Sequence, residues 1–148
     1  MRRYLAAVAF GAVLAVAGCG SDTPEGGETS AEANACARFT ELSNDWAPQY
    51  GGEIAAALSA EAAGDDGRKE TAILIVKQLY ADWAGGLRTE AGNVSDAELS
   101  GALNRMADGI MGIADEIETF EDVQASPQQL EDGAVAEAGT EIAQLCAG

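Results

Sequence analysis

The sequence predicts an all-α protein, an up-down-up-down four-helix bundle whose first helix is kinked or split near Pro48. Three observations predict it. Leu99, Leu103, Met106, Ile110, Ile113, Ile117 and Phe120 recur at alternating spacings of four and three, the seam of a core-facing helix. Three further stretches carry apolar stripes of helical spacing, separated by Gly, Asn, Ser and Pro punctuation. A single hairpin register then sets apolar on apolar between all neighbours, the agreement of local and global signals expected of a specified fold.

The first helical stripe is Cys36, Phe39, Ser43, Trp46, Tyr50, Ile54 and Leu58. Pro48, Gly51 and Gly52 interrupt it. A Pro inside a helix removes a hydrogen bond and crowds the preceding turn, at ~3 kcal/mol. Two forms stay open, one kinked helix or two short collinear ones. The second stripe is Ile73, Val76, Tyr80, Trp83 and Leu87, ended by Gly92-Asn93. The apolar run from Ala72 to Val76 is in phase with it and has no strand to pair with, so it reads as helix buried on more than one face. Gly85 and Gly86 weaken this helix by about 1 kcal/mol each relative to Ala.

Ser95 and Glu98 read as a capping box opening the third helix. Ser126-Pro127-Gln128-Gln129 repeats that signature, with Pro127 at the tolerated first helical position. The helix after it carries Leu130, Ala134, Ala138, Ile142 and Leu145.

With the first turn at residues 64–67, antiparallel partners sum to about 130. That pairs Tyr50 with Tyr80 and Trp46 with Trp83. Across the next turn, near Asn93, Leu87 faces Leu99 and Val76 faces Ile110. Across the last, Phe120 faces Leu130 and Met106 lies near Ile142. The topology returns the chain to the end where it started, so Cys36 and Cys146 are expected as neighbours.

The first residues have a different character. Met1-Arg2-Arg3 is basic, and Leu5 to Val16 is apolar and uncharged. A membrane-spanning helix needs roughly 20 apolar residues; a basic start and a shorter apolar run make a secretory signal peptide. Val16-Ala17-Gly18-Cys19 resembles the lipobox of bacterial lipoproteins: an aliphatic residue, two small ones, then cysteine. The resemblance covers the first twenty or so residues. It implies a signal peptide over residues 1–18, cleavage between Gly18 and Cys19, and a diacylglycerol on the Cys19 thiol. The amine of Cys19 is then open to acylation. Two or three acyl chains, at about 0.8 kcal/mol per buried methylene, hold firmly where one is marginal. The implied address is the extracytoplasmic side of the cell membrane, lipid-anchored. The Ala-, Gly-, Asp- and Glu-rich composition is of the kind common in GC-rich, actinobacterial genomes.

Residues 19–33 then read as the lipidated cysteine and a tether. Gly20 to Ser30 has no apolar residue, too little burial to offset ordering entropy, and spans on the order of 20 Å on average. Residues 34–148 are the helical domain. With Cys19 as the anchor, export to an oxidising compartment makes a Cys36–Cys146 disulfide the expected state of the other two cysteines.

Composition excludes several functions. Lys and Arg total 8 against 25 Asp and Glu, a formal charge of -17. Nucleic-acid binding needs clustered cations, and anionic lipid repels such a surface. Self-repulsion makes a monomer the expected state. The chain has no histidine, which removes Ser-His-Asp and Cys-His catalysis, the Glu-x-x-His motif of di-iron bundles and nearly every zinc site. Asn93-Val94-Ser95 reads as a turn and a cap rather than a glycosylation sequon. No catalytic residue and no cofactor are expected.

Two constellations remain. Trp46, Tyr50, Tyr80 and Trp83 fit a plain core seam, and are also the candidate pocket for a sugar or a cation. Asp65 and Asp66 sit in one turn, and Glu116, Glu118, Glu121, Asp122, Glu131 and Asp132 flank another at the same end. Of these, Asp65, Asp66, Glu121 and Asp122 are the candidate ligands of a hard divalent cation; a solvated acidic face with helix caps is the alternative. The expected function is a non-catalytic interaction or structural module of the cell envelope, its candidate partner another envelope protein. A small-ligand or cation-binding lipoprotein is the rival.

Overall fold

The computed structural model describes residues 30–147 and is all-α. The Gly18–Cys19 cleavage position, the Cys19 lipidation position and the tether through residue 29 lie outside the described residues. Among the described residues there are five helices: α1 (Ala31–Ala63), α2 (Asp66–Asn93), α3 (Ala97–Glu116), α4 (Phe120–Glu131) and α5 (Gly133–Cys146).

Helix α1 begins three residues inside the segment read as tether. Ser30 caps it, its hydroxyl accepting from the Ala33 amide at 3.1 Å. The helix runs unbroken for 33 residues with Pro48 inside it. Pro48 leaves the Asn44 carbonyl without its usual amide partner. Both residues are exposed, so the carbonyl is not stranded in the core, and the helix continues through the proline.

Gly64 ends α1 at φ 73°, a left-handed conformation open to glycine at no steric cost. The amides of Gly64 and Asp65 bond the Glu61 and Ala60 carbonyls, satisfying the helix end. Asp65 caps α2 by accepting from the Arg68 amide at 3.0 Å. This two-residue turn folds α2 back antiparallel to α1. Arg68 meets Glu53 at 2.9 Å, and Arg38 lies 3.8 Å from Glu90 at the far end of the pair.

The cap of α3 differs from the expected Ser95–Glu98 box. Asp96 is the cap, its Oδ1 accepting from the Glu98 and Leu99 amides at 2.9 Å each. Ser95 turns instead to α1, its hydroxyl donating to Glu32 at 2.7 Å. The seam of α3 is buried as expected, with Leu99, Leu103, Met106, Ile110 and Ile113 all in the core. The helix stops at Glu116, before the last two seam residues. Lys77 of α2 donates to the Ile117 carbonyl at 2.9 Å, placing a cation at the negative end of α3. Thr119 and Asp122 then form a reciprocal capping box that starts α4.

The expected start of the last helix at Ser126-Pro127 is overturned. Both residues lie inside α4, and Ser126 is fully buried. The local pattern is a valid cap signature, yet Thr119–Asp122 fulfils that role seven residues earlier. A break at Asp132, with Gly133 at φ 71°, separates α4 from α5. Helix α5 returns antiparallel along α3: Arg105 bonds Glu141 at 2.5 Å, and Gly109 leaves room for Val135, whose Cγ2 would lie 2.6 Å from an added Cβ. Three residues expected in the core are exposed, Leu58 at 46%, Leu74 at 68% and Ala134. Leu74 shows that the Ala72–Val76 run has one solvent face.

Cys36 and Cys146 lie at disulfide distance, with Sγ atoms 1.91 Å and Cα atoms 5.7 Å apart. They join the first turns of α1 to the end of α5. The pair lies in the wall of a cavity of about 350 Å³ with Glu32, Asp96, Leu99 and Leu145. Among the described residues no helix is long and apolar enough to cross a membrane.

Candidate functional site

The α1–α2 hairpin brings together the four aromatic residues singled out from sequence. Trp46 stacks on Tyr50 (centroids 4.8 Å, planes 23° apart) and on Trp83 (4.9 Å, 26°), and tilts against Tyr80 at 5.2 Å. Tyr50 meets Tyr80 edge-on at 6.1 Å. The expected register is therefore realised here. Such offset and edge contacts contribute about 0.5–1.5 kcal/mol each beyond area burial.

The two tyrosines point their hydroxyls into a buried network centred on α4. Tyr80 donates to Ser126 Oγ at 2.8 Å, and Ser126 donates to the Val123 carbonyl at 2.9 Å. Tyr50 donates to the same carbonyl at 2.5 Å and lies 3.2 Å from Ser126 Oγ. The network answers a defect in α4. Residue 127 would ordinarily donate its amide to the Val123 carbonyl, and as proline it has none. An unpaired buried carbonyl costs about 1–3 kcal/mol; Tyr50 and Ser126 provide its donors. Burial raises the Tyr50 and Tyr80 hydroxyls above their usual values, opposed by the bonds to Ser126. Both are thus neutral donors at ordinary pH, and they fasten α4 across α1 and α2.

The two tryptophans face a different environment. Their Nε1 atoms are buried with no acceptor. The outer side of the pair lines a groove of about 260 Å³ with Leu42, Asp45 and Gln49 of α1 and Leu79 and Asp82 of α2. Asp45, Gln49 and Asp82 are exposed. Sequence reasoning missed these flanking residues, although a signal was present. Leu42-Ser43-Asn44-Asp45-Trp46 and Leu79-Tyr80-Ala81-Asp82-Trp83 repeat one pattern, Leu-x-x-Asp-Trp. The spacing puts Leu, Asp and Trp on one helix face, and the antiparallel hairpin sets the two copies against each other.

At the acidic end the carboxylates have local partners. Asp66 and Phe120 line a common groove, so the two turns share one end of the molecule. Yet each placed carboxylate has local work. Asp65 caps α2, Asp66 pairs with Lys69 at 2.8 Å, and Asp122 accepts from the Thr119 amide and hydroxyl. Bonds to Lys69 hold the Asp66 carboxyl below its ordinary value, and those from Thr119 do the same for Asp122. Glu121 is exposed. Among the described residues, no three His, Cys, Asp or Glu side chains converge where they could hold a metal ion. Asp65 and Asp122 thus serve as helix caps, Asp66 as an ion-pair partner and Glu121 as exposed surface charge.

No protein-family model, no curated protein and no solved structure matches this chain.

Proposed function

We infer that the protein is a lipid-anchored, non-catalytic interaction module on the extracytoplasmic side of the cell membrane. The observation that carries this reading is the Cys36–Cys146 pair. Disulfides persist in oxidising compartments, and this one uses both domain cysteines. The third, Cys19, is then the odd thiol, inside the lipobox-like Val16-Ala17-Gly18-Cys19. In this reading α1, α2, α3 and α5 are the four members of an up-down-up-down bundle. Helix α1 bends at Pro48, and α4 crosses the end away from the tether. The disulfide lies at the membrane-proximal end, and the acidic turns around Asp66 and Glu121 face outward toward another envelope protein. No cofactor takes part, and the chain acts as a monomer.

Mass spectrometry of the mature native protein tests the anchor. The expected species begins at Cys19 and carries a diacylglycerol on its thiol. An unmodified Cys19, or an N-terminus downstream of it, would remove the anchor from the reading. Cross-linking from the outward end tests the partner. Replacing exposed Glu118 and Glu121 by Lys is expected to abolish the cross-linked species, and unchanged yield would discard that face.

A further inference from the structure

The groove between the two Leu-x-x-Asp-Trp segments has an unusual balance of hydrogen-bonding groups. Its apolar surfaces are the two indoles with Leu42 and Leu79, and its rim is Asp45, Asp82 and Gln49. Carboxylates only accept. The indole N–H groups are buried below the surface, so they do not serve a molecule lying in the groove. The Gln49 amide already donates to the Asp45 carbonyl at 2.9 Å, which leaves one amide hydrogen free. The rim is therefore almost wholly acceptor, above an apolar floor.

Its charge is also uncompensated. Of the eight Lys and Arg residues, Arg2 and Arg3 lie outside the described residues. The remaining six are all engaged elsewhere. Arg38 pairs with Glu41 and Glu90, Arg68 with Glu53, Lys69 with Asp66, Arg88 with Asp108, and Arg105 with Glu141, while Lys77 caps α3. Among the described residues neither Asp45 nor Asp82 has an ion-pair partner; Asp82 accepts a bond from Gln78 at 2.7 Å.

We propose that this groove binds a small primary alkylammonium ion, its alkyl chain against the tryptophans and leucines and its ammonium on Asp45 and Asp82. An ammonium is all donor and no acceptor, the complement of this rim. A neutral sugar would bring several hydroxyl oxygens seeking donors, where the rim offers a single free amide hydrogen on Gln49. The volume, about 260 Å³, falls below the ~300 Å³ at which drug-sized pockets begin, which favours a short chain. A charge of -17 concentrates cations near the surface. This site stands apart from the membrane anchor, and its failure would leave the anchor reading untouched.

The chain has two tryptophans, and both line the groove, so its intrinsic emission reports on this place alone. The full-length chain is titrated with n-butylammonium at fixed ionic strength. The expected result is a saturable change in tryptophan emission. Asp45→Asn with Asp82→Asn, both exposed and so expected to leave the unfolding midpoint intact, weakens it at least about tenfold. n-Butanol, the uncharged counterpart, and glucose give no saturable change. Any of three outcomes overturns the proposal: no saturation with n-butylammonium, an equal response to n-butanol or glucose, or a response that survives the double Asn variant. A tetralysine peptide is the remaining arm. A carboxylate-dependent response to it without one to n-butylammonium would overturn the small-ion assignment and identify a partner protein's lysine as the occupant.

Discussion

Replacing Tyr50 by phenylalanine keeps the ring in the stack and deletes one hydroxyl. That hydroxyl is the 2.5 Å donor to the Val123 carbonyl, which Pro127 leaves without an amide. Val123 is fully buried, so water does not replace the lost bond, and only Ser126 remains as donor. The expected loss is about 1–2 kcal/mol. The diagnostic step is to repeat the change in a Pro127→Ala background. Alanine restores the amide that closes the helical bond to Val123, so the carbonyl no longer depends on Tyr50. There Tyr50→Phe should cost less by a coupling of about 0.5–1 kcal/mol. Urea denaturation followed by far-UV circular dichroism measures all four proteins, with equal slopes required for the comparison. If Tyr50→Phe costs the same in both backgrounds, the hydroxyl is not serving the carbonyl that proline freed, and the reasoning is wrong.

Three further outcomes are expected. Reducing the Cys36–Cys146 disulfide, which the adjoining cavity leaves open to thiol reagents, should lower stability by roughly 4–5 kcal/mol in the chain-entropy model for a loop of this length; an unchanged urea midpoint would show that the ends are held by packing alone. Gly109→Ala forces a Cβ to within 2.6 Å of Val135 and should lose about 1–3 kcal/mol. Gly112→Ala, with nothing within 4 Å, should gain about 0.5–1 kcal/mol of helix propensity; the opposite order in thermal unfolding would contradict the α3–α5 packing. The Asp122 carboxyl is held below its ordinary 3.8, first by the Thr119 hydroxyl. A depressed carboxylate lends stability above its unfolded value and loses it as pH falls through its folded value. The gap between the native chain and Asp122→Ala should thus be full above the ordinary carboxylate range and close as pH falls below it; a gap independent of pH would mean that the charge plays no part.

Some of this architecture was legible in the sequence because its signals are local and repeated. The α3 seam and the first-turn glycine suffice to predict a hairpin register in which Trp46 meets Trp83. The disulfide follows from topology, since chain ends that return to one place bring Cys36 to Cys146. The errors share a cause. Ser126-Pro127 satisfies a cap pattern, but its actual use depends on Tyr50, which lies 76 residues from Ser126 on another helix. Ser95 fits a cap equally well and is drawn off by Glu32, while its neighbour Asp96 takes the role. Competition among several adequate local partners is decided by packing, which no local pattern contains. The Leu-x-x-Asp-Trp repeat differs. It was visible, and its meaning emerged once two helices had set the copies face to face.

Closed through sulfur, residues 36–146 form a covalent ring rather than a line. A protease that cuts once inside that ring, at the Gly64–Asp65 turn or beside Gly133, opens it but releases nothing. The nicked molecule keeps one mass under oxidising conditions and falls into two pieces only when reductant is added. One accidental cleavage therefore leaves every helix still joined to the others and, through Cys36, to whatever lies ahead of Ser30.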